Sequence, residues 1–190
     1  MNILYKQLRL SGLGITWNEL PPTPITATKL GSTAPTLATF LGNTQQYTFD
    51  ATNDYVIGTT EVTHEYKEGT DLHAHIHWAT NGGEAVDTVV KWQLEYALAN
   101  MVMTGVGGAF TTGSTLSQQT TIPANTPDRT HMYTDLGDVP GTGIKIGNYL
   151  CWKFSRVVGI GTGPANDPFA LGVGFHSESD SIGSSTETDK

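Results

Sequence analysis

Apolar and polar residues alternate with a period of two along many short stretches of this chain, and no stretch of a dozen residues shows a 3.6-residue period. The clearest stretch is 89–98, where Val90, Trp92, Leu94, Tyr96 and Leu98 alternate with Lys91, Gln93, Glu95 and Ala97. Stretch 149–157 sets Leu150, Trp152 and Phe154 against Cys151, Lys153 and Ser155; stretch 169–177 sets Phe169, Leu171, Val173 and Phe175 against Gly172, Gly174 and His176. Each pattern predicts a strand with one buried face. Further strands are predicted at 47–51, 55–62, 73–79, 101–104, 109–112, 116–122 and 131–136, separated by Gly, Asn, Asp and Pro. The expected fold is all-β, an antiparallel two-sheet sandwich of the jelly-roll kind. Asn81, Gly82 and Gly83 read as a hairpin loop that would make strands 73–79 and 89–98 antiparallel neighbours.

The pattern divides the chain into three parts. Residues 1–35 read as an extended N-terminal arm, because Pro21, Pro22 and Pro24 cannot occupy a central strand. The arm would lie either on its own domain or on a neighbouring subunit. Residues 36–180 form the sandwich, and 181–190 an acidic tail rich in Ser and Thr.

Composition supports one β-rich domain: of 190 residues, 22 are Gly and only 15% are charged. The net charge of −8, with ten Lys and Arg in all, argues against nucleic acid as a partner. No run approaches the ~20 apolar residues of a membrane helix, so no membrane association is expected. Residues 1–20 lack the features of a secretory signal, which predicts folding in a cytoplasm. The single cysteine, Cys151, excludes an intrachain disulfide and is expected to be an inert core thiol.

Candidate chemistry concentrates in histidine. Four of the six imidazoles, His64, His73, His75 and His77, fall between positions 64 and 78. On a strand, His73, His75 and His77 share one face while Leu72, Ala74, Ile76 and Trp78 share the other. Such a ladder can bind a metal, titrate near neutral pH, or pair with a copy of itself, and the residues leave all three open. The candidate metal set is His75, His77 and His176, within one chain or shared between subunits, with Glu95 as another source of a third ligand. Gly69 followed by His75 and His77 also fits the opening of a cupin motif, which would imply a metal enzyme. Glu84 comes too late for that motif and no second motif follows. Trp78, Trp92 and Trp152 oppose His77, Lys91 and Lys153, so a tryptophan core turns the histidines outward, whereas cupin ligands point inward. No catalytic residues are nominated, since no phosphate loop, serine elbow or zinc-type cysteine pairing is present. The acidic residues Glu61, Glu65, Glu68 and Asp71 read as a solvated turn.

Several stretches together carry a family likeness. They are Trp17 to Leu20, His64 to Asp71 with its Lys67, Glu68, Gly69, Thr70, Asp71 run, then His75, His77 and Trp78, Trp92 to Tyr96, Phe175 with His176, and Ser181 to Ser184. In that order the chain resembles a group of structural proteins from tailed-bacteriophage virions. The resemblance implies a virion component without enzymatic activity or a required cofactor, either a head decoration or fibre-base protein or a neck or tail protein. Its implied partners are copies of itself, expected as a homotrimer by virion analogy, and other virion proteins such as capsid, neck or tail components. Candidate interface residues are Trp17, His64, His73 and Glu95. Two other classes remain open: a carbohydrate-binding adhesin and the cupin-like metal enzyme.

Overall fold

The computed structural model describes residues 16–52, 54–100, 108–111 and 113–184. The strands are β1 (Thr16–Glu19), β2 (Thr23–Pro24), β3 (Lys29–Leu30), β4 (Thr36–Thr39), β5 (Gln45–Thr48), β6 (Tyr55–Glu61), β7 (Leu72–Ala79), β8 (Thr88–Ala99), β9 (Ser114–Ile122), β10 (His131–Val139), β11 (Tyr149–Val157) and β12 (Phe169–Ser179). No α-helix occurs among the described residues, and Ile25–Ala27 forms one 3-10 turn.

The strands form an antiparallel two-sheet sandwich. One sheet runs β10-β7-β12-β5-β4, with β1 and β2 also on β12; the other runs β3-β6-β11-β8-β9. The eight strands from β5 to β12 pair in nested fashion, β5 with β12, β6 with β11, β7 with β10 and β8 with β9. That nesting is a long hairpin rolled up on itself, the jelly-roll topology. It corrects the expected hairpin at Asn81, Gly82 and Gly83. β7 bonds to β10 and β12, and β8 to β9 and β11, because the segment between β7 and β8 crosses from one sheet to the other.

The inward faces carry the predicted apolar sets. Leu72, Ala74, Ile76 and Trp78 of β7 meet Val90, Trp92 and Leu94 of β8 and Leu150, Trp152 and Phe154 of β11, all essentially without solvent exposure. Phe49 bridges the layers, edge-on to both Trp92 and Phe154. The indole of Trp78 donates to Thr134 and that of Trp152 to Thr60, so both of these buried N–H groups are satisfied. Along one edge the sheets close together, where the Thr120 hydroxyl of β9 lies 2.6 Å from that of Thr134 on β10.

Three details differ from the expected pattern. A register shift between Ala170 and Gly172 puts Ala170 in the core and leaves Leu171 half-buried. Cys151 is half-buried on the outer face of its sheet, since its neighbours Leu150 and Trp152 take the inward positions. Residues 109–111 are described without a strand, and the expected strand 101–104 lies outside the described residues. The described part of the arm is built into this same domain: β1 and β2 extend β12, and β3 extends β6.

The β6–β7 connection is anchored by Tyr66, which is fully buried, bridges to Ser179, and donates its hydroxyl to the Thr70 carbonyl. Burial pushes its phenol up to about 12 despite the Thr70 bond, with Asp71 and Glu68 adding in the same direction. The native state therefore holds the neutral phenol, while an unfolded chain ionises near pH ~10. Stability from this group is complete below pH ~10 and is lost as pH rises toward 12. The unfolding free energy from urea titrations should fall across that window by about 2–3 kcal/mol more for the native sequence than for Tyr66→Phe; parallel pH profiles would contradict this.

Candidate functional site

The outer face of the β7 sheet gathers the unusual side chains, and strand register explains how. Opposed residues in antiparallel strands project to the same side. His73 is opposite His176 and His75 opposite Gly174 across β7 and β12; Glu19 is opposite His176 and Trp17 opposite Glu178 across β12 and β1. On the far side, Tyr133 of β10 is opposite His77. Trp17, Glu19, His176, the three β7 imidazoles and Tyr133 thus share one surface.

His75 is at its centre, with 0% exposure although it lies on the outer face. Tyr133 stacks on it at 5.1 Å between ring centroids and His176 at 4.3 Å, with interplanar angles of 27° and 24°. His77 meets it edge-on at 5.1 Å. The fourth side is open to Glu19 because Gly174 has no side chain. A Cβ there would fall 2.5 Å from both His75 Nε2 and Glu19 Oε1. Glu19 reaches across β12 through that gap and places Oε1 3.3 Å from His75 Nε2.

Neither ring nitrogen of His75 has a partner at hydrogen-bond geometry. Burial, followed by the neighbouring His176 and His77, lowers its pKa; Glu19 and the His73 backbone pull the other way without overcoming this. Burial and His131 likewise lower His77. Both rings are therefore held toward the neutral form that a metal needs. The donor atoms of Glu19, His75 and His77 all lie within 4.8 Å of one another.

The other sequence candidates are distributed as follows. His176 joins the cluster as the ring stacked flat on His75. His73 pairs with Asp138 at 2.6 Å and contacts the Trp17 indole, which is 51% exposed. His64 bonds Ser184 through Nδ1, away from β7. Glu95 is on the other sheet, paired with Lys153 at 2.9 Å, as follows from β7 and β8 being in different layers. Glu19 and His131 were not singled out from sequence. Glu19 arrives only through the β1–β12 pairing, and His131 bonds His77 Nδ1 at 2.9 Å from the start of β10. One signal was available: glycines alternating with His176 on a polar strand face mark a close approach by another group.

No protein-family model matches this chain, and comparison with curated proteins finds no significant relative.

Proposed function

We propose that this protein is a self-assembling structural component of a tailed-phage particle, docking through the outer face of its β7 sheet on copies of itself and on other virion proteins. The observation that carries the reading is the division of labour between the two sides of that sheet. The interior is filled by Trp78, Trp92, Trp152, Phe49 and Phe154, whereas the half-exposed Trp17 and Tyr133 and the partly exposed His73, His77 and His176 stand outside, where a neighbour would meet them, with His75 buried beneath them. Half-exposed aromatic residues on a rigid sheet are typical interface anchors. The jelly roll and the resemblance carried by the run from Lys67 to Asp71 and by His75, His77 and Trp78 support the same reading, although a jelly roll alone also serves lectins and cupins.

Those two alternatives have less support. A cupin-like centre needs inward ligands in an open barrel, whereas the inward face of β7 carries the apolar core residues Leu72, Ala74, Ile76 and Trp78. An adhesin would present aromatic side chains on its loops. Among the described loop residues Phe110 is the exposed aromatic, and the segment joining β11 to β12 has none.

The test is the mass of the untagged protein in solution by light scattering. The account predicts three chains per particle for the native sequence and single chains for the double variant Trp17→Ala, Tyr133→Ala, with circular dichroism unchanged. A native protein that is monomeric throughout the micromolar range would contradict it.

A further inference from the structure

We propose that Glu19, His75 and His77 form a transition-metal site of the zinc class that fastens the arm strand β1 to the outer face of the sheet. Two imidazoles with one carboxylate is a donor set suited to zinc and unlike the all-oxygen sets of calcium or magnesium. Four observations support this role.

The first is the unmet need of His75. A neutral imidazole has one donor and one acceptor, and here neither buried ring nitrogen makes a hydrogen bond of good geometry, Nε2 having only Glu19 Oε1 at 3.3 Å. Buried polar groups left unsatisfied are destabilising. A metal bond at Nε2, the atom 3.3 Å from Glu19 Oε1, meets the acceptor half of that need.

The second is the gap at Gly174. Any other residue would fill the space through which Glu19 reaches His75. The third is the support of His77: its Nδ1 bonds His131 Nε2 at 2.9 Å, which leaves Nε2 for a metal. Metal-ligating histidines characteristically engage their second nitrogen in this way.

The fourth is distance. Zinc bonds of about 2.0–2.2 Å bring donors to about 3.3 Å from each other. One donor atom from each residue already lies within 4.8 Å of the other two, and Glu19 Oε1 stands 3.3 Å from His75 Nε2, so side-chain movements of about an ångström complete the set. His176 acts as a positioning residue, because a ring stacked face-on against His75 fixes the plane of that imidazole.

The consequence is mechanical as well as chemical. β1 is a four-residue strand with all its residues exposed, held to β12 by its backbone ladder. A metal shared between Glu19 and two residues of β7 would bind the arm to a second strand, beyond the one it pairs with.

The experiment uses untagged full-length protein, stripped with a chelator and titrated with zinc against a chromophoric competitor, together with hydrogen exchange over residues 16–19. The proposal predicts about one zinc per chain, slower exchange in β1 when zinc is present, and zinc affinity at least ~100-fold weaker in Glu19→Gln. Gly174→Ala should show the same loss, whereas His64→Gln should bind as the native protein does. If Gly174→Ala fails to fold, Glu19→Gln, at a partly exposed side chain, decides alone. Absence of stoichiometric zinc, or native affinity in Glu19→Gln, overturns the proposal.

Discussion

Replacing Gly141 by alanine is expected to destabilise the protein by about 3 kcal/mol or more, and to lower its melting temperature by about 6–12 °C. Gly141 is buried in the β10–β11 connection, where its N–H donates to Asp71 Oδ1 at 2.7 Å and its carbonyl accepts from Ile144 at 2.8 Å. A Cβ would overlap the backbone carbonyl of Thr70, the group that already accepts the Tyr66 hydroxyl. Backbone cannot rotate away as a side chain can, so relief requires separating the β6–β7 connection from the β10–β11 connection. The contrast is Gly143→Ala two residues on, where φ is +83° and nothing lies within 4 Å of the added Cβ. There the cost is only the left-handed backbone, about 1 kcal/mol. Thermal or urea unfolding of the two variants compares steric overlap with conformational strain, and equal losses would contradict the argument.

Arg156→Met is the second large effect, expected to cost about 2–3 kcal/mol. The guanidinium is 6% exposed and donates from Nη1 to the Phe49 carbonyl at 2.9 Å and to Asp167 Oδ1 at 2.7 Å. It therefore ties the β5–β6 and β11–β12 connections to each other at one end of the roll. The value sits below that for a fully buried pair because Asp167 is 44% exposed and keeps part of its hydration. Lys153→Met breaks an ion pair of similar length with Glu95, but both partners are 41% exposed. Its effect should stay under about 1 kcal/mol. Urea midpoints for the two variants that fell equally would show that desolvation is not what separates them.

The positions of these residues also indicate how much of the structure could be read from sequence. Alternation located β11 at its observed bounds and the cores of β7, β8 and β12, because each presents a large apolar row to the interior. β1 to β4 carry no such row. Thr16–Glu19 is exposed at every position and Thr36–Thr39 at three of four, so nothing in their pattern distinguishes an added edge strand from loop. The sheet partners of β7 were out of reach for a topological reason, since in a rolled hairpin chain neighbours cross between sheets and true partners are distant in sequence. The imidazole row and its outward direction were visible once Trp78 was placed inside. The carboxylate that meets it was not, because the contact of Glu19 with His75 depends on two successive registers, β1 on β12 and β12 on β7.

The fold and this cluster bear differently on function. A jelly roll is compatible with virion, lectin and enzyme roles. What favours assembly is the placement of aromatic and imidazole groups on a rigid outer face over a filled core, together with an arm strand that joins this sheet and adds Trp17 to that face.

The proposed virion role is tested most directly by quantitative mass spectrometry of phage particles purified from cells that carry the gene for this chain. The account predicts the protein in particles at a fixed copy number, in multiples of three, retained through density-gradient purification. Particles that form and infect without it, with the protein recovered only from the soluble lysate, would contradict the structural role.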